Sequence, residues 1–341
     1  MQSFVTAAPA AAAGDDTGVG GVGLQGSRED KKRRRRLCVC TRIHQNNANR
    51  PVDLAKVRDF LDSALLYADS IAIAVGSPQP TASTTADAPN PEWQLQRHDF
   101  SLLESISRAA WEAEQEALAR RVGRDEGDGR PSGDDHGGVG GTEALKDAAP
   151  PASRVVNVFE VTPWGKFTPA LNALLSYAAR DGAHLAMFQS LETIVGEDTV
   201  SSMEAHMGED ELVVGAALTG HAFQGGETVG LTGVTTPWNT LALWDVTKLA
   251  KLGFLGVAEG LLPGVPAGVE EVSTIATLQM MLGAEHARAK LVKLPQVQWQ
   301  TEWEDESRRQ WHEAKMSSKL ERAGKQMLAL GVKEGIVHHV G

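Results

Sequence analysis

Four short runs limit what this chain can become: LCVCT (37–41), SIAIAVG (70–76), AHLAMFQ (183–189) and ELVVGAAL (211–218). Each is apolar almost from end to end instead of alternating apolar with polar. A strand apolar on both sides needs cover on both sides, the condition of a parallel sheet between two layers of helices. The segments between the runs supply those layers. VDLAKVRDFLDSALLYA (52–68) places Leu54, Val57, Phe60 or Leu61, Ala64 and Leu65 on one helical face, and Pro51 sits just before it. A helix rich in Ala, Glu and Arg is expected over about 100–121, and FTPALNALLSYAARDG (167–182) is a helix closed by Gly182. RVVNVFE (154–160) is a third strand, and a helix over about 198–207 leads to the run at 211. The alternation predicts an α/β fold: a mostly parallel central sheet flanked by helices, Rossmann-like.

After residue 218 the rhythm changes. GHAFQGGETVGLTG (220–233) is glycine-rich and suggests a hairpin or loop over one sheet edge. TTPWNTLALWDVTKLAKLGF, an acidic helix start at GVEEVSTIATLQMML, a short strand near 289–292 and a charged C-terminal helix follow. Trp299, Trp303 and Trp311 are interspersed in the last part, with Trp311 and Met316 expected as docking residues. Three stretches have little to bury. Residues 1–35 are Ala/Gly-rich and basic at their end, 77–92 are rich in Pro, Ser and Thr, and about 123–152 are rich in Gly and Asp. The first is expected to be a disordered tail and the others disordered insertions in one α/β domain over 36–300, with 301–341 as the C-terminal helix.

Charge and cysteine content exclude several functions. The net charge of −11 opposes nonspecific binding of nucleic acid through an overall positive field, and no nucleic-acid partner is expected. One basic run, Lys31–Arg36, abuts the first strand and lacks aromatic neighbours for bases. It is read as a solvated lead-in, with a nuclear signal or a membrane-surface patch as the alternatives. The two cysteines, Cys38 and Cys40, share one strand face, poorly placed for a disulfide and without a second pair for zinc. They read as small buried hydrophobes in a reducing compartment, and a cytoplasmic location is expected. No stretch has the length of apolar residues that spans a bilayer. The common phosphate loop, G-x-x-x-x-G-K-[ST], is absent, as is the G-x-S-x-G elbow.

Four segments carry a resemblance. LCVCTRIHQNN resembles the opening strand and loop that hold the nucleotide base in A-type nucleotide-diphospho-sugar glycosyltransferases. WGKFTPALNALLSYAARDGAHLAMFQS is similar to that family's helix and the strand that delivers an acid pair. PWNTLALWDVTKLAKLGF is similar to its acceptor-side stretch, and GVEEVSTIATLQMM to the segment that begins with the acidic base. The resemblance spans roughly 36–283. It implies transfer of a sugar from a nucleotide-sugar donor to an acceptor, with a non-catalytic binding or scaffold protein of the same fold as the alternative. The departures are specific. The acid–x–acid triplet, which in the family holds a divalent cation such as Mn or Mg, reads Gln189-Ser190-Leu191, with Glu192 one place beyond. The second strand ends Val75-Gly76-Ser77, where the family often has an acid.

The site residues follow from these positions. Thr41 ends the first strand, Arg42 and His44 follow it, and Lys166 opens the helix after the third, so the cations among them are candidates for a diphosphate. Gly76, Asn172, Gln189, Trp238 and Asn239 complete the nucleotide and substrate set the resemblance implies; Glu192 is the one candidate for a metal. Glu270 and Glu271 are the acid pair for the base, and adjacent helical residues point about 100° apart, so one of them, Glu271, is expected to face the cleft. Each has a purely structural counterpart. Two glutamates at a helix start suit its dipole, Asn172 can bond a loop backbone, Trp238 and Trp244 can be core walls, and His221 can be a satisfied buried polar residue.

Overall fold

The structure, a computed structural model, describes residues 35–44, 51–76, 101–125, 155–295, 297–299 and 318–341. The expected tail and most of both insertions lie outside these, as do Trp303, Trp311 and Met316. All the described residues belong to one compact unit, Arg35–Gly341.

The apolar runs become β1 (Leu37–His44), β2 (Ser70–Gly76), β3 (Val156–Glu160), β4 (Leu185–Gln189) and β6 (Glu211–Ala216) of one nine-stranded sheet. Its order is β3-β2-β1-β4-β8-β6-β9-β11-β7, where β7 is Thr228–Gly230, β8 Leu241–Asp245, β9 Arg288–Val292 and β11 Ile336–Val340. Strands β3, β2, β1, β4, β6, β9 and β11 run one way; β8, between β4 and β6, and the edge strand β7 run the other. The mostly parallel α/β sheet is therefore present, with one reversed strand in its interior. A separate pair joins β5 (Thr193–Ile194) to β10 (Gln298–Trp299).

The helices are α1 (Leu54–Ala64), α2 (Ser101–Asp125), α3 (Thr168–Arg180), α4 (Glu197–Ala205), α5 (Val246–Leu249), α6 (Glu270–Leu282) and α7 (Lys319–Leu330), with one 3-10 turn at Gly256–Glu259. Strand periodicity divides the core in two. On one face Cys38, Cys40, Ala72, Ala74 and Ala186 pack with α3, α6 and α7; on the other Leu37, Val39, Ile71, Ile73 and Met187 pack with α1, α2 and α4. The small residues under α3 let that helix approach closely, and the large ones fill the wider gap opposite. Each fully buried Leu, Ile or Val here contributes about 1.5–3 kcal/mol. Both cysteines are free and buried, with sulfurs 3.8 Å apart.

Asp53 caps α1 by accepting from Ala55 N and Lys56 N, which places Leu54 in the first turn, where it is exposed instead of joining Val57, Phe60, Leu61 and Ala64 in the core. The C-terminal part, expected as a helix alone, ends instead in β11, which pairs with β9 and β7 and so belongs to the sheet. Gln279 of α6 fixes it there, accepting from Ile336 N and donating to Ile336 O. Among the described residues no helix is long and apolar enough to cross a membrane.

Candidate functional site

Parallel strands end on a common edge, and the register places His44, Gly76, Glu160 and Gln189 there. The loop entering the reversed strand β8 reaches the same edge, since Leu241 pairs with Gln189. This is where α/β sheets usually bind ligands.

Arg42 is the centre of the cluster. Its Nη1 donates to Phe167 O at 3.1 Å, its Nη2 lies 3.6 Å from Glu270 Oε1, and its guanidinium stands 5.6 Å from the Phe167 ring centre. The start of α6 is thereby tied to the end of β1 and the start of α3. Glu270 and Glu271 are both buried, and they diverge as helical geometry requires: Glu270 meets Arg42, and Glu271 Oε1 accepts from Asn239 N at 2.6 Å. Burial first, and then the neighbouring Glu270, push the Glu271 carboxyl up to about 7; the Asn239 N–H and Lys319 pull it partly back. A buried carboxylate near neutrality is suited to general-base chemistry.

Lys166 enters this arrangement through its backbone. A residue without sequence signal, Glu259, reaches across from the 3-10 turn and caps α3. Its carboxylate accepts from Lys166 N (2.6 Å), Phe167 N (2.7 Å), Thr168 N (2.5 Å) and Thr168 Oγ1 (3.1 Å). Burial would raise this carboxyl, but the three N–H groups and the hydroxyl hold it below the usual range. Gly165 makes the approach possible: its φ is +65°, and a Cβ there would lie 2.6 Å from Glu259 Oε2. The helix N-terminus that suits a phosphate thus holds the chain's own carboxylate. The Lys166 side chain is exposed.

His44 stacks on Trp164 with ring centres 4.9 Å apart, and both crowd Gly76, where a Cβ would fall 2.4 Å from the indole. Thr41 faces the opposite layer from Arg42, as alternate strand residues must, and its Oγ1 is buried without a partner. Asn172 bonds Phe254 through both side-chain ends, donating to its O (2.9 Å) and accepting from its N (2.7 Å). Trp238 donates to Gly233 O, stacks on His221 at 3.6 Å and carries the Lys319 ammonium 3.1 Å from its ring centre. Asn239 accepts from Trp244 Nε1 at 3.0 Å, while its Nδ2 is buried and unpaired. His221 bonds the Leu218 and Thr236 backbone, and burial lowers it to about 4, so it is neutral at pH 7.

The expected metal position does not fit a metal. Gln189 bonds Tyr67 Oη and Thr193 O, Ser190 bonds Thr193 Oγ1, and Glu192 is exposed and outside the bonds that join Arg42, Glu270, Asn239 and Glu271. No group of three or more His, Cys, Asp or Glu able to hold a metal occurs among the described residues. Of the candidates for the diphosphate, the base and the metal, Arg42, Lys166 by its backbone and Glu271 belong to one bonded cluster and Glu192 does not. A cavity of about 680 Å³ lies elsewhere, between Gly260–Pro266 and Ser318, Glu321, Arg322 and Lys325 of the α7 region, and shares no lining residue with that cluster.

No protein-family model matches the chain, and no curated protein matches it. Among solved structures it is similar to that of S. aureus TarS, at 10% identity and a TM-score of 0.35, over 71% of this chain and 33% of that one. The chain thus spans about a third of that protein's length.

Proposed function

We propose that this chain binds a nucleotide-diphospho-sugar at the shared edge of β1, β2 and β4 and transfers the sugar to an acceptor hydroxyl, with Glu271 as the base. One observation carries the reading: in the first turn of α6 the buried Glu271 carboxyl is near neutrality, next to Glu270, which meets Arg42 on the sheet edge where α/β proteins bind ligands. Burial and Glu270 both favour the protonated form of Glu271, so it is a stronger base than an exposed glutamate. In the reaction Glu271 takes the acceptor hydroxyl proton, the acceptor oxygen bonds the anomeric carbon, and the bond to the nucleoside diphosphate breaks. Arg42 supplies positive charge toward that leaving group. No step runs through a metal. The cytoplasmic location belongs to the same proposal, and two free buried cysteines accord with a reducing compartment.

A second reading, a non-catalytic binding or scaffold protein of the same fold, is favoured by one feature: Glu259 occupies the helix terminus that would cradle a phosphate. A thermal-shift panel of UDP, GDP, CDP and their sugars, with and without manganese or a chelator, tests both. A donor at a hundred times its Kd adds about 2.7 kcal/mol to stability. Stabilisation by one nucleotide series supports a donor site, and binding without turnover supports the second reading. No shift with any nucleotide overturns the transferase reading.

A further inference from the structure

The residue before the glutamate pair is the most unusual backbone position in the described chain. Val269 has φ +52°, the one non-glycine with positive φ among the described residues. For a β-branched side chain this is a rare, strained conformation, held only where the surroundings over-determine it. Val269 is buried and has no side-chain cap bond, so neither exposure nor capping accounts for it.

The surroundings that hold it are identifiable. Gly268 N donates to Ala258 O at 2.8 Å, pinning the turn to the 3-10 segment that carries Glu259. From the other side, Gln326 of α7, wholly buried, donates through one Nε2 to Pro266 O at 3.0 Å and to Gly268 O at 2.6 Å. Arg322, one turn earlier, donates to Ala267 O at 3.3 Å. The Gln326 Oε1 is left buried without a partner. An amide kept at the cost of an orphan oxygen is placed for what its NH₂ holds. The turn at 266–269 therefore lies between two bonded supports, and Glu270 and Glu271 leave it in fixed directions, one to Arg42 and the other to Asn239 N.

We propose that Gln326 is a positioning residue for Glu271: its two bonds to the 266–268 backbone hold Val269 left-handed and so aim the carboxylate at the Asn239 amide. The proposal rests on the reading of Glu271 as the base, but its geometry does not depend on what the substrate is. Without the clamp Val269 relaxes toward negative φ, the first turn of α6 rotates, and Glu271 leaves the Asn239 N–H. The charged groups around that carboxyl are Glu270 on its own helix, Arg42 of β1 beyond Glu270, and Lys319 at the start of α7; none is altered by a change at 326.

The test uses Gln326→Met, which keeps length and volume and removes both donors, in the full chain. The first readout is the titration of Glu271, followed by the carboxyl infrared band of ¹³C-glutamate-labelled protein against the Glu271→Gln background. The N–H bond lowers that pKa, so its loss moves the midpoint upward by half a pH unit or more. The second is turnover of whichever nucleotide sugar binds, expected to fall at least tenfold in kcat with KM for the donor nearly unchanged. The third is rescue. Val269→Gly, which is free to stay left-handed, is added to Gln326→Met and is expected to return the midpoint to the value in Val269→Gly alone. If Gln326→Met does not fold, Gln326→Leu replaces it; it too removes both donors without adding a charge and is expected to shift Glu271 in the same direction. An unmoved midpoint in the folded variant, or an upward shift that Val269→Gly leaves in place, overturns the clamp. A wild type that titrates as described but turns over no donor contradicts the transferase reading and leaves the clamp standing.

Discussion

Replacing Glu271 by Gln removes the charge, keeps an oxygen to accept from Asn239 N, and changes stability in a way that depends on pH. The carboxyl is displaced from an ordinary 4.5 to about 7. At about 1.4 kcal/mol per pH unit, the charged form costs about 3 kcal/mol in the folded protein. Below pH 4.5 the group is protonated whether the chain is folded or not, and it costs nothing. Between 4.5 and 7 the unfolded chain releases the proton that the folded one keeps, so stability falls as pH rises, and the whole penalty is present above 7. His221 works oppositely. It is displaced from 6.5 to about 4, so its contribution is whole above 6.5 and lost as pH falls through 4, also by about 3 kcal/mol at most. In the wild type the two slopes nearly cancel between 4.5 and 6.5. In Glu271→Gln the histidine slope is left without this counterpart. Urea unfolding of both proteins at pH 4, 5.5, 7 and 8 is expected to show equal stability at pH 4 and a variant more stable by about 3 kcal/mol at pH 8. A difference that stays constant across that range, or a variant less stable at pH 8, refutes the argument that Glu271 is a buried charge.

Other consequences are open to test. Glu259→Ala leaves three backbone N–H groups and the Thr168 hydroxyl without their acceptor, and a loss of about 2–3 kcal/mol is expected in urea unfolding, with Glu259→Gln losing less. The same Ala variant is expected to gain thermal stability from inorganic phosphate where the wild type gains none, because the emptied helix terminus binds the anion. Gly76→Ala drives a methyl into the Trp164 ring and is expected to cost about 1–3 kcal/mol and to shift the tryptophan emission. Cys38 and Cys40, wholly buried, are expected to react with a thiol reagent only after unfolding.

The layers of the fold were legible because four of the parallel strands, β1, β2, β4 and β6, carry runs apolar on both sides, and that pattern needs no partner to be recognised. The helix end at Gly182 and the shared face of Cys38 and Cys40 were legible for the same local reason. Strand β8 was not. LALWD runs directly into α5 without a turn, and nothing local marks its insertion, reversed, between β4 and β6. The pairing of Glu270 and Glu271 at a helix start was readable, but which of the two would turn toward Asn239 depended on the left-handed Val269, a residue type that gives no hint of it. Glu259 lies 91 to 93 residues from the groups it caps, and Gln326 58 residues or more from those it clamps. Such partners are set by the topology of the sheet, which brings distant segments to one edge. The side-chain bonds of Asn172 go to the Phe254 backbone and those of His221 to the Leu218 and Thr236 backbone, contacts no local pattern announces.

Release of free nucleoside diphosphate from a panel of nucleotide sugars, offered with pooled hydroxyl acceptors, addresses the base directly. Wild type and Glu271→Gln are compared after both are shown to bind the donor equally. With Glu271 as the base, wild-type release is expected to rise with pH to a plateau above about 7 and to fall at least about a hundredfold in the variant. Equal release by the two proteins contradicts that role.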